Sequence, residues 1–258
     1  MGVSFIFVIK TVCIFLLLLS FSCFSGEQRQ PSLRIVTENM PPYNYTDAQG
    51  QLSGISTKIV LELLKNIDNN TKIEVFPWAR AYKIATSQPN VLIYSIRRSP
   101  EREKKFHWLA PILPANLNLH ALPDAPKLHD LNHLNHKIIG ILRGSPHSDL
   151  LRPHINVKDV SIVEVVTIEQ LYEMLMLRRI DYLMAPTQVV NYLNQKFVTK
   201  EIDRPIVVYK IPVIDQEGLY LALSKLTDTN TVAFIKNQLE LVLNKEEIKH
   251  MIREFKSN

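Results

Sequence analysis

The sequence predicts an α/β protein folded as two lobes around a cleft, and two observations carry that prediction. Short apolar runs of β type alternate with stretches of helical period, the pattern of βαβ units on a largely parallel sheet. The alternation stops at a connector carrying Pro123 and Pro126, between residues 119 and 127, and then starts again. Domain interfaces of this kind are where small ligands preferentially bind. The composition fits a globular core: of 258 residues, 46% are apolar and 21% charged, which excludes collagen-like, low-complexity and disordered chains. A chain of this length buries roughly 70–75% of its extended surface and needs no disulfide or metal to fold.

In the first unit, Leu33 to Thr37 is a short strand, ended by Glu38-Asn39 and the Pro41-Pro42 pair, which cannot continue a central strand. Gly50 and Gly54 flank a turn. Ile59, Val60, Leu63, Leu64 and Ile67 then recur at helical spacing from Ile55 until Asp68-Asn69-Asn70 stops the pattern. Lys72 to Phe76 is a strand. Pro77-Trp78 opens a helix, where proline is tolerated because the first-turn N–H has no partner, and that helix ends near Gln88-Pro89. Val91 to Tyr94 is the next strand. In the second unit, Lys137 to Leu142 is a buried-type strand leading into Arg143-Gly144-Ser145-Pro146. A short helix follows, then a strand from Ser161 to Val166, a helix from Ile168 to Arg179 and a strand from Asp181 to Ala185. Further strands lie near Ile206 to Ile211 and Gly218 to Leu223, and helices run from about Asn230 to the end.

The N-terminus reads as an address. Thr11 to Leu19 is an uninterrupted apolar run behind Lys10, followed by Ser20, Ser22, Ser25 and Gly26 and the polar run Glu27 to Gln30. A short apolar region, small residues and a polar start describe a secretory signal peptide over residues 1–25, cleaved near Ser25 or Gly26. An uncleaved anchor and acylation at Cys23 are the alternatives, and the bulky Phe21 fits a lipobox poorly. Both cysteines, Cys13 and Cys23, leave with the peptide, so disulfides, thiolate metal sites and cysteine nucleophiles are excluded from the mature chain. Removing Lys10 lowers the net charge from +5 to +4.

The run TENMPPYNYTDAQGQLSGIS, then FPWARAY and SIRRSPEREKKFHWLAPI, resembles the amino-acid-type periplasmic solute-binding proteins, extracellular solute-binding protein family 3. DLNHLNHKIIGILRGS, RRIDYLM and GLYLALSK continue the resemblance in order over the mature chain. It implies the two-lobed periplasmic-binding-protein fold of type II, with crossings near 119–124 and 208–216. Residues 26–119 and 211–258 would then form one lobe and 120–210 the other. Ligand is held in the cleft as the lobes close by hinge motion. The family delivers polar amino acids and related solutes to an inner-membrane ABC permease, so a monomeric periplasmic protein without cofactor or metal is expected.

The resemblance also implies site residues. Arg102 matches the arginine that grips a ligand carboxylate, for which a rigid guanidinium fork is well suited. Arg97 occupies a neighbouring position. Trp78 and Tyr43 match aromatic walls, which give large contact area at little entropic cost, although filling the core is an equal alternative for each. Arg80 either reaches the cleft or braces the loop holding Arg102, and Glu38 either meets a ligand amine or braces its own loop. Arg143 and Ser145 belong to a loop that offers backbone N–H groups to an anion, although Ser145 suits a helix cap equally well. One position departs from the family: Pro186 stands where an aspartate usually meets the ligand's ammonium group. Excess arginine over acid favours a ligand with net negative charge.

His129, His133 and His136 could share a helix face, but Leu128, Leu131 and Leu134 between them are the better candidates for burial, so a solvated histidine face is expected rather than a metal site. Other functions on this scaffold are an enzyme similar to the cyclohexadienyl dehydratases, which needs a general acid in the cleft, and a ligand sensor for a membrane kinase. Nucleic-acid binding is disfavoured by export and by mixed charge along the chain.

Overall fold

The computed structural model describes residues 32–67, 71–151, 159–211 and 218–257. The expected signal peptide, with its cleavage point and Cys23, lies outside the described residues. Among those described, no helix is long and apolar enough to cross a membrane.

The first sheet begins with β1 (Arg34–Thr37), followed by a small hairpin of β2 (Tyr45–Thr46) and β3 (Leu52–Ser53). Helix α1 (Ile55–Asn66) buries Ile55, Ile59, Val60, Leu63 and Leu64, the apolar stripe that the sequence displays. Gly54, just before it, has a φ of 101°, and the Tyr43 carbonyl lies where a Cβ would stand, so no other residue fits. Next come β4 (Ile73–Val75), α2 (Trp78–Ser87, with Pro77 as its N-cap) and β5 (Val91–Arg97), every residue of which is buried. β1 pairs in parallel with β4 and β5, as a βαβ reading requires.

β6 (Phe106–Leu113) is the edge strand of the first sheet, and the chain then enters the second at β7 (Leu117–Ala121). The passage therefore occupies residues 114–116, upstream of the 119–124 expected from sequence. All five residues of β7 are buried, Asn118 and His120 included. Its partners come much later in the chain, and this long-range pairing is invisible in a local window that shows two polar residues ahead of two prolines.

The second sheet is built from β7, β8 (Ile138–Leu142), β9 (Ser161–Val165), β10 (Tyr182–Pro186) and β11 (Ile206–Lys210), in the order β11-β7-β10-β8-β9. Helices α3 (His147–Leu151), α4 (Ile168–Met176) and α5 (Thr187–Phe197) accompany it. Thr167 caps α4 by accepting from the Gln170 N–H. The sequence reading does not mark α5, whose interior holds Asn191 and Asn194, weak helix formers. Tertiary contact overrides that weakness: Asn194 accepts from the Tyr172 hydroxyl at 2.7 Å and donates to the Pro205 carbonyl at 3.1 Å.

After β11 the chain returns to the first sheet as β12 (Leu219–Ser224), between β5 and β6 and antiparallel to both. Helices α6 (Thr229–Leu243) and α7 (Glu246–Ser257) close it. Both sheets are thus mixed rather than largely parallel, because each receives antiparallel strands from the crossovers. Leu128, Leu131 and Leu134 are buried as expected. His133 sits on a single 3₁₀ turn (Leu131–Leu134), and His136 follows it with a φ of 62°. Among the described residues, no three metal-ligating side chains stand together.

Candidate functional site

A cavity of about 50 Å³ lies where the two sheets meet, room for a few water-sized positions. Its walls come from the carboxyl ends of strands on both sides: Glu38 after β1, Ser95 and Arg97 in β5, Leu142 at the end of β8, and Pro186 at the end of β10. That is where open α/β sheets place ligands, since their loops and helix starts converge there. Trp78 from the start of α2 and Arg102 from the loop before β6 complete the first-lobe side, and Ser145, Pro146, His147, Ile168 and Val189 the second.

Arg102 is 4% exposed. Its guanidinium donates to the Arg97 carbonyl and, across the cleft, to the Gly144 carbonyl, both at 3.2 Å. Its guanidinium carbon lies 5.1 Å from the Trp78 ring centre and 4.9 Å from that of Tyr82, within cation–π range. Burial lowers its pKa, yet arginine remains charged in any such setting. The Trp78 indole N–H also donates to Gly144, at 2.8 Å. One carbonyl of the second lobe thus receives two donors from the first.

Glu38 is 8% exposed, and burial pushes its pKa up to about 8, against the pull of Arg102. At neutral pH it is predominantly a protonated acid, able to donate. His147 moves the other way: burial first, then the charges of Arg97 and Arg102, bring it down to about 3, so its imidazole is neutral. Its Nδ1, with Ser95 Oγ and Ser145 Oγ, is shielded from solvent and has no hydrogen-bond partner among the described residues. Ser95 owes its place to a β-bulge: its φ is 58°, and the pairing with β12 skips it between Tyr94 and Ile96. Buried polar atoms without partners are costly, and their gathering around one cavity marks a surface shaped for something polar.

Of the residues expected from sequence, Glu38, Trp78, Arg97, Arg102 and Ser145 meet at this cavity. Among the described residues the Ser145 hydroxyl makes no hydrogen bond, so it does not act as a helix cap there. Tyr43, Arg80 and Arg143 are not among the lining residues. Tyr43 is fully buried, with its hydroxyl 2.8 Å from the Pro114 carbonyl and 3.1 Å from the Gln188 side-chain amide, so it ties the crossover to α5. Arg80 is exposed and lies over the Phe76 ring at 4.3 Å, because its position on α2 points it away from the sheet. Arg143 is exposed too, and its backbone N–H is used by the Val165 carbonyl. Arg97 has a second task, donating to the Ala115 carbonyl in the crossover. His147 was missed, although its place just after the Arg143–Pro146 loop was a usable signal. The apolar wall of Met40, Ile168, Val189 and Leu219 left no such mark.

The profile of the bacterial extracellular solute-binding proteins, family 3, matches residues 33–256. The chain belongs to this family. Among solved structures, an ancestral arginine-binding protein bound to arginine is similar, with a TM-score of 0.75 and 16% identity over 86% of this chain and 96% of that one. A histidine kinase sensor domain with similarity to periplasmic binding proteins has a TM-score of 0.74 and 15% identity, covering 87% of this chain and 96% of that one. An ancestral amino-acid-binding protein described as a precursor of cyclohexadienyl dehydratase has a TM-score of 0.71 and 16% identity, covering 86% and 93% respectively. At such identities the likeness concerns the fold. Among curated proteins, no sequence matches. Within this solute-binding protein, the cavity lies between the two sheets, as the family's two-lobed architecture leads one to expect.

Proposed function

We propose that this solute-binding protein captures a small carboxylate-bearing solute in the cleft and hands it, by hinge opening and closure, to an inner-membrane ABC permease. It would do so as a periplasmic monomer, exported by the segment 1–25. The observation that supports this most directly is the buried Arg102 fork facing the second lobe through the Gly144 carbonyl. A carboxylate offers that fork two charged oxygens in place of one neutral oxygen, a stronger pairing in a site removed from water. Ser95, Ser145 and His147 supply further polar atoms around it.

The test is calorimetry on the purified mature protein with the twenty amino acids and their 2-oxo and 2-hydroxy analogues. Arg102→Ala should weaken the best binder by about 2–5 kcal/mol. Unchanged affinity in that variant would sink the reading.

Glu38 favours a second reading, catalysis. A carboxyl that keeps its proton to about pH 8 beside a guanidinium is suited to general acid work, and a dehydratase precursor shares the fold. Turnover of prephenate by the wild type, lost in Glu38→Gln, would establish it. A third role, presenting the ligand to a membrane kinase, uses the same cleft and would show as pull-down of a sensor kinase instead of a permease.

A further inference from the structure

The cavity supplies an unusual set of partners for an amino acid. Its formal charges are those of Arg97 and Arg102, and its single acid is Glu38. On the second-lobe side, Pro186 presents a ring with neither carboxylate nor N–H, and Glu169, next to Ile168, is the acid of that side whose charge acts on Glu38. Ile168 and Val189 flank the ring with hydrocarbon. The Gly144 carbonyl that could accept from an ammonium already receives the Arg102 and Trp78 donors. An ammonium in this space would face two guanidinium charges at low dielectric, where like charges repel strongly. A ligand oxygen at the same place carries no charge against the guanidinium groups and meets donors: the Ser95 and Ser145 hydroxyls, without partners among the described residues, and the Glu38 carboxyl, which burial keeps protonated at neutral pH.

We propose that the cleft selects a small carboxylate with an oxygen rather than an ammonium group at the α carbon, a 2-oxo or 2-hydroxy acid with an apolar tail. This rests on the reading of the cleft as a carboxylate site and adds its selectivity. Arg102 takes the carboxylate, Glu38 and Ser95 donate to the α oxygen, and the tail lies against Pro186, Ile168 and Val189. Pro186 acts here as a specificity residue, because it places no carboxylate on this wall to balance the charge of a desolvated ammonium.

Calorimetry at pH 7 on matched sets decides the matter: pyruvate, lactate and alanine; 3-methyl-2-oxobutanoate, 2-hydroxy-3-methylbutanoate and valine; 4-methyl-2-oxopentanoate, 2-hydroxy-4-methylpentanoate and leucine. The oxygen-bearing member of the best set should bind at least about tenfold more tightly than its amino acid. Pro186→Asp should narrow that ratio by at least about tenfold. Aspartate is a favourable residue at this helix N-cap, so the fold should tolerate it, and Pro186→Asn controls for the backbone change. An amino acid that binds as well as its analogues, with Arg102→Ala abolishing that binding, overturns the proposal and leaves the carboxylate site standing. Absence of binding by every compound overturns both. A ratio unmoved by Pro186→Asp overturns the assignment of selectivity to this wall.

Discussion

Taking Glu38 out of water raises its pKa from 4.5 to about 8, even though Arg102 beside it pulls the other way. Between those two values the unfolded chain releases a proton that the folded chain retains. The fold therefore loses stability as pH rises from about 4.5 to about 8, and the loss levels off above that. Glu38→Gln keeps the shape of the neutral acid and removes the titration. Its melting temperature relative to wild type should climb across that interval, and a difference constant with pH would refute the buried-acid account. His147 works in the opposite sense. Held near 3, it stays neutral in the fold while the unfolded chain takes up a proton below 6.5, so its cost appears on the acid side. Comparing Glu38→Gln with wild type at the same pH keeps the two effects apart, since both proteins carry His147. Little of this residue-scale behaviour was legible in sequence: Glu38 could be named as a nearby carboxylate, but the sign of its shift depends on who surrounds it.

At the scale of elements, the second crossover ends on Gly218, with a φ of 88° and the Leu113 carbonyl where a Cβ would stand. Gly50 shares the positive φ, at 76°, but has nothing within 4 Å of that position. Gly218→Ala should therefore lower Tm more than Gly50→Ala, since strain is common to both and the collision belongs to one. For a protein of this size each kcal/mol shifts Tm by about 2–4 °C, and equal losses would show that the contact with β6 carries no weight. Elements with a one-sided stripe, such as Ile55–Asn66, were legible because burial on one face imposes a helical period. Leu117–Ala121 was not, because a strand buried on both faces has no period and its partners lie in β10 and β11.

At the scale of the whole molecule, the two tryptophans occupy different places. Trp78 donates to the Gly144 carbonyl across the cleft, whereas Trp108 packs against Phe106 and Tyr220 within the first sheet. The proposed hinge motion would change the surroundings of the first alone. Ligand-induced change in intrinsic fluorescence should persist in Trp108→Phe and disappear in Trp78→Phe; a response carried by Trp108 would contradict closure across Gly144. The crossover itself is held by Tyr43 at Pro114 and by Arg97 at Ala115. Arg97 thus touches both the cavity and the crossover. The sequence by itself determined the class of fold, the parallel βαβ cores and the phrases that mark the family, because period, punctuation and short phrases are local properties. Only the tertiary structure decided that Glu38, Ser95, Arg102, His147 and Pro186 share one cavity while Tyr43, Arg80 and Arg143 do not. Strand pairing over long separations and the loss of water on burial are what bring those groups together and set their charge.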